Sequence, residues 1–407
     1  MPVRTWRRLS RLEEGLGRVS AASPHPFLQP AFLHALECSG AVGPGTAWEV
    51  AHILFEREGQ GAALLPLYRK QDSRGEYVFD HSWAAAYERH GLAYYPKLVT
   101  AVPFTPVPGP RLLLAPGEHL EDWLPFVLQT LREVCTRENI SGWHGLFVEE
   151  DWLETARTQG FAIREGCRFH WDNPGYRDFD DFLDQLTSKK RKDLKRERRR
   201  LLEQGIVCRT LQGHDIDEAA WDFFHACYVR TYHEHGQQPY LNRDFFRQLA
   251  GTMAENLMLV IAEDADGLLA SALFLHDNHT LYGRYWGSLR RADGLHFEVC
   301  YYQGMEFCLR KGLQEFDPGT QGEHKLLRGF APRRTYSLHW LRAPEFQDAI
   351  SRFVSEERVA IQRYHEEAES LLPFRSNIHG AVENGGSKKE MPAAPDGHAT
   401  GQESAED

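Results

Sequence analysis

A carboxylate, an imidazole and an ammonium stand side by side at Glu323, His324 and Lys325, in the polar loop Thr320-Gln-Gly-Glu-His-Lys325. Such a set can take up a proton and stabilise a developing negative charge at one point. A merely solvated loop has the same composition. Upstream, the aromatic stretch Thr280-Leu-Tyr-Gly-Arg-Tyr-Trp-Gly-Ser288 alternates Tyr282, Arg284, Tyr285 and Trp286 as a strand would, two toward a cleft and two toward a core. Arg284 on such a strand requires a partner, either an anionic ligand or a buried salt bridge. Tyr285 or Tyr301 offers a phenol to a departing thiolate or ribose hydroxyl; each would equally serve as a core residue with one hydrogen bond. Between this strand and the next helix lies Arg291-Ala-Asp-Gly294-Leu-His296. Backbone amides at a helix N-terminus favour an anion there. Glu298 falls in the first turn, as a ligand group or as a carboxylate complementing the helix dipole.

The elements that must position these residues follow from periodicity. Phe297, Cys300, Tyr301, Met305, Cys308 and Leu309 recur at three- and four-residue steps and predict a helix over 295–312, with Gly312 at a left-handed C-terminal cap. A short strand, Leu313 to Asp317, ends at Pro318-Gly319, and the polar loop leads into a last segment, Leu326 to Trp340. Strand, turn, helix, strand, loop, strand resembles the back half of a GNAT-type acyltransferase domain. That resemblance implies a strand that splays from its neighbour before the central helix, with the donor's acyl carbonyl in the gap and free N–H groups for the oxyanion. It also implies a pyrophosphate turn of the form Arg/Gln-x-x-Gly-x-Gly/Ala. Arg291 and Gly294 fit that pattern, and His296 departs from it.

With 407 residues the chain is too long for one small core, so two domains are expected. A net charge of −11 argues against a protein that binds nucleic acid through its global charge, while leaving a local basic patch open. Seven Cys without a framework read as reduced thiols in a cytoplasmic protein. Met1 to Ser20 is Arg-rich without an apolar core, unlike a secretory signal. No apolar run reaches the roughly 20 residues of a membrane helix. No metal site is expected: His233-Glu-His235 lacks a third ligand.

Residues 1 to about 45 read as a helix or two. Trp48 to Glu56 and Ala62 to Lys70 read as two strands of a hairpin across Arg57-Glu-Gly-Gln-Gly61. Asp80-His81-Ser82 reads as part of a strand, so its three side chains cannot converge as a triad. A helical stretch through Tyr95 follows, then a proline-rich path (Pro103, Pro106, Pro108, Pro110), a helix from Glu121 to Glu138, a strand from Gly142 to Val148, a helix from Glu150 to Gly160, and a strand from Ala162 to Trp171. Tyr94, Tyr95, Lys97 and Arg111 flank the proline path, as an acceptor pocket or as structure. Phe179 to Gln204 reads as one long helix, whose segment Ser188 to Arg200 holds nine basic residues against two acidic. That segment is a solvated face, a contact for phosphates of tRNA or of a nucleotide-linked precursor, or, less well, a membrane-surface contact. Ser376 to Asp407 has the composition of a disordered tail.

Two stretches resemble a family. One runs from His90-Gly-Leu-Ala-Tyr-Tyr-Pro-Lys97 through Val102-Pro-Phe-Thr-Pro-Val-Pro-Gly-Pro-Arg-Leu112. The other comprises Tyr282-Gly-Arg-Tyr-Trp-Gly287, Leu295-His-Phe-Glu298, Tyr301-Tyr-Gln303, Gln321-Gly-Glu-His-Lys325, Arg328-Gly-Phe330, Pro332 and His339-Trp340. Together they resemble the bacterial N-acyltransferases described as peptidoglycan biosynthesis/recognition proteins, related to FemAB-like aminoacyltransferases and to GNAT enzymes. The likeness runs from about Trp48 to Phe374.

The resemblance implies an α+β protein of tandem GNAT-like (FemAB-like) domains, each a mixed, mostly antiparallel sheet flanked by helices. The boundaries expected are 1–175, a basic linking helix over 176–205, 206–375 with the cleft, and a tail over 376–407. The implied activity is acyl transfer to a small-molecule or peptide amine. The expected donor is acyl-CoA as a co-substrate, with no cofactor bound permanently. Aminoacyl-tRNA acting on a peptidoglycan-type amine is the rival, and a non-catalytic binding protein on the same fold a third reading. The catalytic candidates are Glu323, His324, Lys325 and Tyr285. Arg291, Gly294, His296 and Arg284 are the candidates for holding coenzyme A, and Tyr95, Lys97, Arg111 and Glu298 those for holding the substrate.

Overall fold

The computed structural model describes residues 3–19, 25–320 and 322–375. The expected tail and Gln321 lie outside them. The chain divides into two compact units that interleave in sequence. The first holds Met1–Gly166, Tyr240–Leu249 and Arg334–Ile361; the second holds Cys167–Pro239, Ala250–Arg333 and the rest.

In the first unit, strands Lys97–Thr100 and Gly142–Val148 run parallel side by side. Tyr68–Lys70 and then Trp48–Val50 add antiparallel beyond the former, and residues 336–341 pair antiparallel with the latter. A separate four-stranded antiparallel sheet orders Arg4–Arg8, Ile53–Arg57, Gln60–Leu65 and Leu113–Leu114. Helix Leu120–Arg137 buries Trp123, Leu124, Val127, Leu128, Leu131 and Val134, a stripe of three- and four-residue steps, against Phe55, Leu65, Leu98 and Trp143.

Several expectations for this half are corrected. Arg4–Arg8 is a strand, not a helix, because its period-two pattern pairs with Ile53–Arg57, and Arg4 covers the Trp123 ring. The two expected hairpin strands are four short ones shared between two sheets. Pro66, which has no N–H, stands at one break. At the other, buried His52 accepts from the Leu67 N–H through Nδ1 at 2.9 Å and meets Glu37 through Nε2 at 3.0 Å. Asp80 is not on a strand; it caps the start of helix His81–Arg89.

The second unit's sheet runs in the order Val207–Gln212, Leu257–Asp264, Gly267–His276, Thr280–Ser288, Glu315–Asp317, and then residues 171–172. Its pairings are antiparallel except that between Thr280–Ser288 and Glu315–Asp317. Helix Glu218–Glu234 covers one face, where Tyr228 meets Tyr285 edge-on. A helix over 295–311 covers the other, where Gly304 lies against the Phe316 ring. The long basic helix is in fact two, Phe179–Gln185 and Ser188–Glu203. Leu186 is fully buried and the Thr187 N–H bonds the Pro373 carbonyl, which breaks the run. Among the described residues no helix is long and apolar enough to cross a membrane.

Candidate functional site

The strand Thr280–Ser288 parts from its parallel neighbour after three pairs, Thr280 with Glu315, Leu281 with Phe316 and Tyr282 with Asp317. Its other edge stays paired with Gly267–His276 as far as Ser288. Pro318 and Gly319 still lie against Gly283. Beyond them, among the described residues, no strand pairs with the parted edge over residues 284–288, and that unpaired edge is the gap of the candidate site.

A bulge sits at the mouth of this gap. Leu273 pairs with Tyr285 and Phe274 with Gly283, so Arg284 is the extra residue. One added residue reverses the facing of everything after it. Leu281 points toward the helix over 295–311, whereas Tyr285 and Gly287 point toward helix Glu218–Glu234 and Trp286 turns to His296. Simple alternation across Tyr282, Arg284, Tyr285 and Trp286 is thus corrected. Tyr285 is buried beside Tyr228, and Arg284 is half-buried with its guanidinium near the Tyr285 ring.

At the closed end of the gap Asp317 accepts from Arg168 at 2.6 Å and from the Gly319 N–H at 2.9 Å, with His170 3.7 Å away. Burial would raise its pKa, but Arg168 and His170 hold it low. The chain then turns through Pro318–Thr320 into the tight helical turn Glu323–Arg328. Lys325 is buried there. Its Nζ donates to the carbonyls of Gly319 and Thr320 at 2.9 and 3.1 Å. Burial lowers its pKa to about 7, with Asp317 opposing and Arg168 adding to the shift. His324 Nε2 lies 2.7 Å from the Tyr301 hydroxyl, and burial, Lys325 and Arg328 hold its pKa at about 4, so the ring is neutral at pH 7. Glu323 is exposed and accepts from Tyr364 at 3.2 Å.

The turn into the helix has Gly294 in the left-handed region, at φ 80°. Arg291 is exposed. The His296 ring packs inward against Trp286 and Tyr301, and burial, His324 and Lys325 lower its pKa to about 3. The helix carries a π-turn at Glu298–Tyr302, a distortion often found at functional positions. Glu298 receives both prongs of the Arg198 guanidinium at 2.8 and 2.9 Å, and Arg198 also bonds Glu306 at 2.6 Å. Elsewhere on the basic helix Arg191, Lys195, Arg196 and Arg199 pair with Asp184, Asp180, Asp193 and Glu203.

The remaining candidates belong to the first unit. Lys97 is fully buried and donates to Ser73 and Glu76, each at 2.8 Å, and to Asp80. Burial opposes its charge, but the two carboxylates outweigh that and raise its pKa. The Tyr95 hydroxyl reaches Ser73 at 2.8 Å. Arg111 is buried and donates to the carbonyls of Leu146, Gly109, Pro110 and Val107, fixing the proline-rich path.

The second unit thus brings together Lys325, His324 and Tyr301, with Arg284 at the bulge and the Arg291–His296 turn at the helix start. Glu298 is engaged by Arg198. Sequence reasoning missed Arg168 and His170. Their signal was present: Phe169 and Trp171 are the apolar face of strand Ala162–Asp172, and Arg168 and His170 stand two apart on the opposite face.

A family model described as FemAB-like, peptidoglycan biosynthesis/recognition, matches residues 2–376. No curated protein matches the chain. Among solved structures, FemX is similar over 85% of this chain and 100% of its own, with 11% identity and a TM-score of 0.50. The C-terminal domain of a protein assigned as a lysylphosphatidylglycerol synthetase from Agrobacterium fabrum is similar over 83% and 94%, with 9% identity and a TM-score of 0.51. A tandem GNAT protein from the clavulanic acid biosynthesis pathway is similar over 84% and 99%, with 11% identity and a TM-score of 0.45. At these identities the likeness to FemX and to the synthetase domain is one of fold alone, of α+β class.

Proposed function

The chain belongs to the FemAB-like family of peptidoglycan biosynthesis/recognition proteins, and we propose that it is an N-acyltransferase moving an acyl group from acyl-CoA to an amine acceptor. The observation that carries this reading is the parting of Thr280–Ser288 from Glu315–Asp317, with buried Lys325 at the closed end of the gap. An acyl carbonyl lying in the gap meets backbone N–H groups of residues 284–288 that no neighbouring strand claims, and these stabilise the oxyanion of the tetrahedral intermediate. The amine nitrogen bonds to the carbonyl carbon, the C–S bond breaks, and the thiolate leaves with the proton the amine sheds. Lys325, neutral for part of its population at pH 7, is suited to pass that proton. The Arg291–Gly294 turn, at the start of a helix, suits a pyrophosphate.

Transfer from aminoacyl-tRNA to a peptidoglycan-type amine is the second reading, favoured by the basic segment Ser188 to Arg200. Much of that segment's charge is already met by Asp184, Asp180, Asp193, Glu203, Glu298 and Glu306. Lys189, Lys190, Lys192 and Arg200 remain to meet phosphates.

Calorimetry with acetyl-CoA tests the choice. Binding in roughly the micromolar range is expected, lost in Arg291→Glu and kept when Lys189, Lys190, Arg191 and Lys192 are all replaced by Glu. No binding of coenzyme A, together with a salt-sensitive tRNA shift abolished by the four replacements, would put the second reading in its place.

A further inference from the structure

Val207–Gln212 is the outer strand of the second unit's sheet. It pairs with Leu257–Asp264 along one edge without a bulge, and among the described residues no strand pairs with its other edge. None of its residues is buried, whereas Leu257 to Ala262 on the neighbouring strand all are. Leu202 and Val207, 65% and 49% exposed, stand just before the strand and at its start. An unpaired edge is a template for another strand, and proteins blunt it with charge, proline, a bulge or shortness. The first unit uses two of these devices. Its four-stranded sheet ends on one side in Arg4–Arg8, which carries Arg4, Arg7 and Arg8, and on the other in Leu113–Leu114, two residues long. Val207-Cys-Arg-Thr-Leu-Gln212 has no proline and a single charge, Arg209, which Glu263 of the same chain already meets at 3.7 Å.

We propose that this edge pairs with the same edge of a second copy, antiparallel about a two-fold axis, in a weak dimer whose sheet runs on from one chain into the other. The edge is complementary to itself in one register. A two-fold axis perpendicular to the sheet keeps opposite residues on the same face, so one residue at the centre must face its own copy. With Arg209 at the centre, like charges would stand directly opposite and destabilise the pair. With Thr210 at the centre, two threonines meet, a cross-strand pair that stabilises sheets. Arg209 then lies opposite the partner's Leu211, and Cys208 opposite the partner's Gln212, with no like charges face to face. Centres nearer either end leave most of the edge unpaired. So short a strand is a small contact, which makes the dimer weak and dependent on concentration. The inference is independent of the transfer reaction.

Sedimentation equilibrium of the full chain from about 1 to about 500 µM is expected to show one chain giving way to two, with a dissociation constant of roughly tens of micromolar. Half-buried Leu211 reads the register, because it faces the partner's Arg209 on both sides of the axis. Leu211→Lys should weaken association about tenfold or more, and Leu211→Glu should tighten it about threefold or more. Thr210→Cys should cross-link two chains on oxidation by copper phenanthroline, and Arg209→Cys should not. Both cysteine variants carry Cys38→Ser, which removes the exposed thiol. A single chain at every concentration overturns the proposal, and so does a mass that grows beyond two chains. A dimer that Lys and Glu at position 211 shift in the same direction, and that Thr210→Cys does not cross-link, places the contact elsewhere and overturns it as well.

Discussion

His144 and His339 face each other through their Nδ1 atoms at 2.7 Å, each ring 1% exposed. The protons on this pair can be assigned from its neighbours. The Tyr94 hydroxyl donates to Asp80 at 2.5 Å, so its oxygen must accept from His144 Nε2. His144 Nδ1 is then an acceptor, His339 Nδ1 donates to it, and His339 Nε2 accepts from the Ser337 hydroxyl at 2.9 Å. Protonating His144 would set two N–H groups against each other. Burial, aided by Lys97 and opposed by Asp80, puts the His144 pKa at about 3, below the ordinary 6.5. The unfolded chain therefore binds more protons in that window, and stability falls as pH drops from about 6.5 toward 3. Urea melts across the acid range should show a shallower pH dependence in His339→Phe than in the wild type. An identical slope would show that the pair does not titrate with unfolding.

Lys325 gives a trend on the alkaline side. Its folded pKa of about 7 lies below the ordinary 10.5. Below pH 7 the group is charged in both states and the burial cost is present in full. Between these values the folded protein has lost the proton and the unfolded chain has kept it, so stability rises with pH. Lys325→Met should be more stable than the wild type at neutral pH by on the order of a few kcal/mol, and should lack the alkaline rise. Equal slopes in the two proteins would place the ammonium in contact with water.

Gly287 packs directly on the backbone of the helix that covers the site strand. A Cβ there would lie 2.1 Å from the Cys227 carbonyl oxygen, which is backbone and cannot rotate away. Gly287→Ala should cost about 1–3 kcal/mol and lower the melting temperature. Gly251→Ala, with open space around it, serves as the control.

Arg198 ties the basic helix to the helix of the site through Glu298 and Glu306, and its guanidinium lies 4.7 Å from the Phe179 ring. Arg198→Ala leaves Glu298, 7% exposed, without its cationic partner and with only the Gln303 amide still donating to it, at 2.8 Å. A loss of about 2 kcal/mol or more is expected, toward the low end for a buried pair because Arg198 is partly solvated. Adding Glu298→Gln should recover part of it. No recovery in denaturant melts would assign the loss to packing on Phe179 instead.

The sequence made some of this legible. The strand Thr280–Ser288 and the cap at Gly312 stand where periodicity and turn residues put them, because each depends on neighbours within a few positions. The expected polar loop is instead a helical turn over Glu323–Arg328 that buries Lys325, and the last strand starts only at Ala331. The bulge at Arg284 was not legible. It is defined by a count against Leu273 and Phe274, which the strand itself does not encode. The π-turn at Glu298–Tyr302 hides within a pattern that a regular helix satisfies equally well. Asp80 looked like a strand residue because its partners, Lys97 and Tyr94, come from beyond the helix that it starts. The break at Leu186 depends on Pro373 and Phe374, almost two hundred positions away.

The unmatched residue at Arg284 divides one strand between two tasks. Before it, Leu281 and Tyr282 are held on both edges, and a change of side chain there disturbs two ladders at once. After it, Tyr285 to Ser288 are held on one edge alone, with their facing reset. Trp286 and Ser288, on the face away from helix Glu218–Glu234, can therefore change without altering the register of the near half. A lineage carrying this fold has in Trp286 and Ser288 a place to vary the far half, while Tyr285 and Gly287 stay fixed by the helix packed on them.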